Sequence, residues 1–302
     1  MWIGIISPNN FIKIGDTMLS LKQRIHKRMK TSQRRFIRLY RQASWRYRAL
    51  PNFIIIGAQK SGTSSLHHYL SQHPQILPSI TKEVHFFDGG INPSVDNFEL
   101  GLAWYRAHFP LRIRLSTHRK TFESSPLYIF NPFAPQRIFD LIPDVKIIAL
   151  LRNPTERAIS HYFHEKKKNR EPLSIYAALQ EEEIRLESII KEKDYKNYIF
   201  VHYSYKSRGL YQDQLERYLN YFPRQQILIL NSEKFFTDPD NTLRRVFEFV
   251  EVDTEFKVKN LTPQNVTNNR SDVASDVYEY LNSFFLPHNQ ALYTLVGENY
   301  NW

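Results

Sequence analysis

The chain has 302 residues, of which 42% are hydrophobic and 24% are charged, as in ordinary soluble globular proteins. It contains no cysteine, which excludes a disulfide framework, thiolate chemistry and a zinc site built on cysteine. The formal net charge is +11, and the length favours one large α/β domain with appendages over two equal domains.

The excess positive charge is confined to the first 50 residues. They contain twelve Lys and Arg residues and a single acid, Asp16, whereas residues 51–302 contain 29 basic and 29 acidic residues. We therefore expect a basic N-terminal arm at 1–50 and a folded domain at 51–302. Because the folded part is neutral overall, any affinity for anions must come from the local placement of its charges.

The arm has no segment that could anchor it in a bilayer. Its apolar run at 2–6 is far shorter than the roughly 20 residues that span a membrane, and it lacks the basic lead-in of a secretory signal. Between Met18, which is an alternative start, and Leu50, basic and apolar residues alternate. This pattern suits an interfacial amphipathic helix, a nucleic-acid-binding tail or a solvated basic helix packed on its own domain. We expect a cytoplasmic protein with peripheral membrane contact through the arm.

Residues 53–66 predict a strand, a loop and a helix. An apolar, mostly β-branched run ends at Gly57, and a helical pattern begins near Leu66. The loop between them combines a lysine with small residues: Lys60, Ser61, Gly62, Thr63 and Ser64. Such a loop binds phosphate because backbone N–H groups at a helix N-terminus point outward. In a strict nucleotide triphosphatase loop the lysine follows the second glycine, so an ordinary strand-to-helix turn is the alternative interpretation.

The next organised segment is 82–88. Alternation around Val84 and Phe86 predicts a short strand or an extended segment that carries Glu83 and His85 on the same side. A carboxylate and an imidazole on one face can act as a general-base pair. The alternative is a simple hydrogen bond at the surface.

A second apolar strand is predicted at 145–151, followed by Arg152 and a helix that starts near Pro154. A magnesium-dependent triphosphatase needs an acid at the end of such a strand. A cation there, where α/β sheets bind ligands, favours an anionic group that side chains neutralise without a metal.

Three segments in this order resemble the PAPS-dependent sulfotransferases, where PAPS is 3′-phosphoadenosine 5′-phosphosulfate. The similarity is greatest to the heparan sulfate 3-O-sulfotransferases, the N-sulfotransferase half of the N-deacetylase/N-sulfotransferases, and their bacterial relatives. The segments are Gly57-Ala58-Gln59-Lys60-Ser61-Gly62-Thr63, Lys82-Glu83-Val84-His85-Phe86-Phe87-Asp88 and Leu151-Arg152-Asn153-Pro154-Thr155-Glu156-Arg157-Ala158-Ile159-Ser160. Further matches are Ser207-Arg208-Gly209-Leu210-Tyr211 and the helix closing at Leu295-Val296-Gly297-Glu298. The resemblance covers about 51–302 and implies a P-loop-containing three-layer α/β/α fold with a central parallel sheet.

The resemblance also implies a role for each matching residue. The loop with Lys60 would hold the 5′-phosphate of PAPS, and Lys60 would neutralise the bridging oxygen as sulfate leaves. Glu83 takes the position of the catalytic base, and His85 and Asp88 match residues that support it. The remaining donor contacts would be Arg152 and Ser160 on the 3′-phosphate, Tyr211 beside the adenine, and Arg270 in a loop that closes the 3′-phosphate site. The acceptor would be a hydroxyl or amine, most naturally of a carbohydrate, and no metal would take part.

The chain departs from this family at Ser124, where the 3-O-sulfotransferases carry an active-site lysine. It also lacks the disulfide beside their closing loop, so the assignment of Arg270 competes with a plain Asn-rich turn. A nucleotide kinase using ATP and magnesium and a nucleic-acid-binding protein with a basic arm are the competing classes. The acidic run Glu181-Glu182-Glu183 is expected to form an exposed helix face.

Overall fold

In the part of the chain that the structure describes, the fold is built on one parallel sheet of five strands. A computed structural model of the chain describes residue 26 and residues 36–115, 118–264 and 273–302. The strands are β1 (Phe53–Gly57), β2 (Ile76–Pro78), β3 (Lys120–Ser124), β4 (Lys146–Leu151) and β5 (Ile227–Asn231). Their order across the sheet is β2-β3-β1-β4-β5, and every described pairing is parallel. The predicted α/β fold with a central parallel sheet is confirmed.

Helices connect the strands and cover the sheet. Their bounds are α1 (Thr63–Leu70), α2 (Gly101–Arg106), α3 (Ala134–Leu141), α4 (Pro154–Lys167), α5 (Ile175–Glu192), α6 (Tyr198–Tyr203), α7 (Tyr211–Leu219), α8 (Ser232–Thr237), α9 (Pro239–Val250) and α10 (Ser275–Val296). Residues 36–43 are also helical, and short 3₁₀ turns occur at Trp45–Tyr47 and Arg112–Arg114. Within the described ranges, no helix is both long and apolar enough to cross a membrane.

The strands β1, β4 and β5 are buried on both faces, which explains their largely apolar sequences. In β1, Phe53 and Ile55 join a core with residues of α1 and α9, whereas Ile54 and Ile56 join a second core with residues of α3 and α7. Because successive side chains of a strand point to opposite faces, these two cores lie on opposite sides of the sheet. The result is the expected arrangement of three layers.

The sheet places a crevice at the carboxyl ends of β1 and β4. The chain lays β2 and β3 on one side of β1, then crosses to place β4 and β5 on the other side. Such a switch of direction opens a ligand-binding crevice beyond the strand ends. The loops after β1 and β4 carry Lys60 and Arg152 and both begin at this crevice.

The segment 82–88 was expected to be a strand or an extended segment. It forms no regular strand, because His85 adopts a left-handed backbone with a φ of 53° that interrupts the extended conformation.

The described end of the arm packs on the folded domain. Arg41 donates to Ala107 O and Phe109 O, at 2.5 and 2.6 Å. Arg48 is buried and donates to Phe109 O at 2.9 Å.

Candidate active site

The loop after β1 presents the start of α1 to the crevice. Lys60 has a positive φ of 71°, and Gly62, at the N-cap of α1, has a φ of 95°. A Cβ at Gly62 would lie 2.8 Å from the ring of Phe236, so both the backbone and the space favour glycine. Among the described residues no side chain caps α1, and its backbone bonding begins with Leu66 N donating to Gly62 O. This helix start is therefore suited to an anion.

Lys60 is surrounded by other cations. Its pKa is lowered to about 8, first by burial and then by the charges of Arg152, Lys168 and Arg157. Arg152 Nη1 donates to the backbone oxygen of Lys60 at 3.1 Å, so the ends of β1 and β4 are joined directly. Several cations gathered at a helix N-terminus attract an anion, so this geometry indicates an anion site.

Arg152 is held from two further sides. Its Nη2 donates to Glu156 Oε2 at 3.2 Å, and its backbone oxygen accepts a bond of 2.9 Å from the hydroxyl of Tyr211. Tyr211 is 1% exposed. Ser160 is buried about two turns along α4, on the helix that starts beside Arg152. The structure thus brings Lys60, Arg152 and Tyr211 together and places Ser160 on the adjoining helix.

Two buried arginines behind the loop carried no individual role in the sequence-based interpretation. Arg157 donates to Tyr205 O, while its Nε and Nη1 have no hydrogen-bond partner in the described part of the chain. Arg208 donates to the side-chain oxygen of Gln59 and to Val201 O, at 2.7 Å for the latter. Burial, followed by the charge of Arg157, lowers the pKa of Arg208 to about 9. These residues extend the positive region beneath the loop and tie Gln59 in place.

Glu83, His85 and Asp88 form a continuous polar chain. His85 Nδ1 lies 2.6 Å from Asp88 Oδ2, and His85 Nε2 lies 3.3 Å from Glu83 Oε2. Glu83 and His85 are therefore in contact, as both interpretations of this segment predicted, although the segment is not a strand. Burial acts to lower the pKa of His85, but Asp88 and Glu83 outweigh it and raise that pKa to about 10.

Glu83 is strongly acidic in this arrangement. Burial acts to raise its pKa, but hydrogen bonds and charges from His85 and Lys82 outweigh burial and lower the pKa to about 2. Lys82 Nζ lies 2.6 Å from Glu83 Oε1. The carboxylate is therefore ionised and can accept a hydrogen bond, and its affinity for a proton rises only when these cations are withdrawn or screened.

A buried carboxylate that sequence reasoning missed fixes the backbone of this segment. Glu123, at the end of β3, accepts hydrogen bonds from Tyr105 and Ser125, both at 2.7 Å, and from Tyr128 at 3.2 Å. Ser125 Oγ in turn accepts from His85 N at 3.2 Å, and Tyr128 Oη accepts from the next backbone nitrogen at 2.8 Å. Glu123 is fully buried, and burial raises its pKa to about 7.

Three other sequence-based assignments can be placed. Ser124, where the resemblance expected a lysine, is fully buried next to Glu123. Arg270 lies outside the described residues. Glu182 contradicts the expected exposed acidic face, because it is 1% exposed and accepts from the backbone nitrogens of Lys206 and Ser207. It thereby anchors the turn that leads to Arg208, a long-range contact that no local pattern reveals.

Comparison with known proteins identifies the family. The profile of the sulfotransferase domain matches residues 50–284. The crystal structure of a sulfotransferase from Alicyclobacillus acidocaldarius superposes with a TM-score of 0.67 at 34% identity, covering 83% of this chain and 97% of that chain.

Two relatives extend the similarity. The membrane-associated sulfotransferase kil1 of Dictyostelium discoideum is 26% identical over an alignment 358 residues long with its gaps. The alignment covers 94% of this chain and 72% of that protein. Heparan sulfate glucosamine 3-O-sulfotransferase 5 of Mus musculus is 29% identical over 274 residues, which span 84% of this chain and 74% of that protein. The chain belongs to the sulfotransferase family, and its activity is sulfuryl transfer. The kinase alternative finds no support in these comparisons.

Proposed function

We propose that this sulfotransferase takes its sulfuryl group from PAPS, without a metal, and transfers it to a hydroxyl or amine of a carbohydrate. The observation that carries the proposal is the contact of Lys60 with Arg152 at the crevice between β1 and β4. Cations supplied from two loops at a helix N-terminus suit a ligand with two separate phosphate groups. The end of β4 supplies a guanidinium and not a metal-binding acid.

The donor is held by groups with distinct roles. The start of α1 receives the 5′-phosphate, while Arg152 and Ser160 bind the 3′-phosphate. Tyr211 holds the backbone of Arg152 and lies beside the adenine. The full set of donor residues in this proposal is Lys60, Ser61, Gly62, Thr63, Ser64, Arg152, Ser160, Tyr211 and Arg270. Two nitrogens of buried Arg157 have no hydrogen-bond partner among the described residues, which supports a site that is completed by an anionic ligand.

In the reaction, the acceptor oxygen or nitrogen forms a bond to sulfur while the bond from sulfur to the bridging phosphate oxygen breaks. Glu83 receives the acceptor proton, and Lys60 stabilises the negative charge on the departing 3′-phosphoadenosine 5′-phosphate (PAP). The acceptor displaces Lys82 and water from Glu83, which raises the affinity of that carboxylate for the proton. His85 and Asp88 keep Glu83 oriented.

Location and acceptor class rest on the relatives. The heparan sulfate enzyme from mouse supports a glycan acceptor, and the membrane-associated relative supports contact with a membrane. As part of the proposal, we place the enzyme in the cytoplasm and assign peripheral membrane contact to its basic arm. We assign the arm to 1–50 and the sulfotransferase domain to 51–302. The neutral charge of that domain is consistent with an arm that carries the surface contact.

The proposal is tested by calorimetric titration of the full chain with PAP in EDTA. We expect binding without metal, and we expect the Lys60→Ala variant to lose at least tenfold in affinity because it removes a charge-assisted contact. ATP with magnesium is titrated in parallel. The buried charge network makes folding of the variant a necessary control, checked by its far-UV circular dichroism.

The donor assignment fails if ATP with magnesium binds more tightly than PAP, or if Lys60→Ala leaves PAP affinity unchanged. Adenosine 5′-monophosphate provides the matched ligand, because it lacks the 3′-phosphate that Arg152 and Ser160 are proposed to hold. It should bind much more weakly than PAP. Equal affinity of the two nucleotides would remove Arg152 and Ser160 from the site.

A further inference from the structure

Residues 36–48 and 106–114 contact one another and form one continuous surface. We call it the basic apolar patch, because it carries both arginines and exposed apolar side chains. Arg48 pairs with Leu111 in an isolated antiparallel bridge, and Ala49 N donates to Pro110 O at 3.0 Å. Arg112 Nε donates to Arg48 O at 3.4 Å. The helix at 36–43 and the turns at Trp45–Tyr47 and Arg112–Arg114 are therefore held beside one another by the folded domain.

Large apolar side chains project from this patch into solvent. Ile113 is 91% exposed, Tyr47 is 73% exposed and Phe36 is 72% exposed. Single exposed apolar residues are normal on a soluble protein. Here they lie on segments that contact one another, and Leu39 and Tyr40 on the same helix are also more than half exposed. Such a concentration indicates a surface that is covered by a partner.

The charges of the patch have a single sign. Residues 36–48 and 106–114 together contain seven arginines and no acidic residue. Burial, followed by the charge of Arg48, lowers the pKa of Arg41 to about 10, and burial, followed by the charge of Arg112, lowers the pKa of Arg106. The cations of the patch thus repel one another, and an external anionic surface would relieve that repulsion.

We propose that the basic apolar patch docks on an anionic lipid surface. Ile113, Tyr47 and Phe36 enter the boundary between head groups and acyl chains. The exposed arginines of the patch bind lipid phosphates and carboxylates; they are Arg38, Arg46, Arg112 and Arg114. Apolar side chains favour a bilayer over a glycan chain, because a glycan offers cation-binding groups but little apolar volume. The proposal extends the membrane contact assigned to the arm onto the folded domain and does not depend on the chemistry of sulfuryl transfer.

The test is co-sedimentation of the full chain with phosphatidylcholine vesicles, with and without phosphatidylserine. We expect binding only to the anionic vesicles, weakened by salt. Ile113→Asp should lower the partition coefficient about tenfold or more, because it removes a side chain that becomes buried. Arg114→Glu should lower it about fivefold or more, because each basic residue near an anionic surface contributes roughly that factor. Both side chains are exposed, so folding should be unaffected.

Matched controls lie on α5, where Ile184 is 70% exposed and Lys191 is exposed. Ile184→Asp makes the same substitution, and Lys191→Glu the same reversal of charge, away from the patch. Neither should alter vesicle binding. A further variant, Lys27→Gln with Arg28→Gln and Lys30→Gln, reduces the charge of the arm alone. If only that variant loses binding while Ile113→Asp and Arg114→Glu bind normally, the patch is not a membrane contact.

Titration with a sulfated heparin oligosaccharide tests whether the patch binds an anionic glycan instead of an anionic lipid surface. The proposal is overturned if the patch variants lose affinity for the oligosaccharide while vesicle binding is unchanged, or if the unaltered chain binds no anionic vesicles. PAP titration of Ile113→Asp separates this proposal from the proposed function, because the donor site is elsewhere and its affinity should not change. If the chain binds anionic vesicles but not PAP, the proposed role of the patch stands and the donor assignment is refuted.

Discussion

Glu83 illustrates how one side chain depends on its immediate neighbours. It lies against Lys82 at 2.6 Å and His85 at 3.3 Å, so its charge is stabilised in the free protein. Replacing it by Gln keeps the size of the side chain but removes the proton acceptor. We expect Glu83→Gln to lower turnover by about 10²- to 10⁴-fold. The affinity for PAP should stay within about twofold of that of the unaltered chain. Glu83 is not among the residues proposed to bind PAP, and substitutions at independent sites usually do not affect each other's energies.

The measurement compares sulfuryl transfer with PAP titration in the same preparation. Glu181→Gln is the control, because Glu181 is an exposed carboxylate on α5. Near-normal turnover in Glu83→Gln would show that another group receives the acceptor proton. A parallel loss of PAP affinity would instead show that Glu83 shapes the donor site.

Glu123 gives a pH dependence whose sign can be derived. Burial raises its pKa from 4.5 to about 7, so the folded chain retains a proton that the unfolded chain has released. The free energy of unfolding should therefore be highest below pH 4.5 for this group and should fall as pH rises to about 7. The difference is about 3 kcal/mol, since one pKa unit corresponds to about 1.4 kcal/mol.

Denaturant unfolding at pH 5 and pH 8 measures this effect. In Glu123→Gln, which carries no titrating group, the loss of stability between these pH values should be smaller than in the unaltered chain. His85 also loses stability above pH 6.5, because its pKa is raised to about 10 in the folded chain. It is present in both proteins, so the comparison with Glu123→Gln isolates the contribution of Glu123. If Glu123→Gln and the unaltered chain lose the same stability between pH 5 and pH 8, Glu123 stays ionised when buried.

Among the secondary-structure elements, the loop between β1 and α1 has the strictest requirements. Gly62 combines a φ of 95° with close approach to Phe236. Ala at this position would be strained in the left-handed region by roughly 1–2 kcal/mol and would also press on that ring. We expect Gly62→Ala to weaken PAP binding about tenfold or more, because the start of α1 shifts away from the phosphate.

Gly297→Ala is the matched control for this change. Gly297 also has a left-handed backbone, with a φ of 74°, but a Cβ there would meet no atom within 4 Å. This variant should lose a similar amount of stability to backbone strain and keep its PAP affinity. Equal PAP affinity in both variants would show that the backbone of the loop does not position the phosphate.

The elements that the sequence predicted correctly are those with strong local signals. The helix after β4 begins as expected at Pro154, and Asn153 caps it by accepting from Thr155 N and Glu156 N. The apolar runs of β1 and β4 are likewise sufficient to define strands buried on both faces. Residues 82–88 have the alternation of a strand, but the reversal at His85 depends on contacts to Ser125 and Asp88 that are made only in the folded chain.

At the scale of the whole molecule, sequence alone could not identify the buried polar contacts. Arg208 and Gln59 are separated by 149 residues, and Glu182 is paired with a turn 24 residues away. A charged residue on a helix is normally solvated, so the expectation for Glu182 was reasonable and wrong. The partners of these groups follow from tertiary packing, whereas the order of the phosphate loop, Glu83 and Arg152 is visible in the chain itself.

The donor site joins distant parts of the chain, so ligand binding should stabilise the entire domain. Arg152 contacts Lys60 across 92 residues and Tyr211 across 59. PAP at a hundredfold excess over its dissociation constant should add about 2.7 kcal/mol to the free energy of unfolding. For a domain of this size that corresponds to a rise in melting temperature of about 5–10 °C, measured by scanning calorimetry in EDTA.

Two comparisons connect this whole-molecule effect to the site. Adenosine 5′-monophosphate at the same concentration should give a clearly smaller rise, because it cannot engage Arg152 and Ser160 through a 3′-phosphate. Lys60→Ala should melt without a substantial response to PAP at the concentration that shifts the unaltered chain. An equal shift with both nucleotides would mean that the crevice recognises adenylate but not the second phosphate. Arg152 would then hold the loops after β1 and β4 together through its contact with Lys60 and would not bind the 3′-phosphate of the donor.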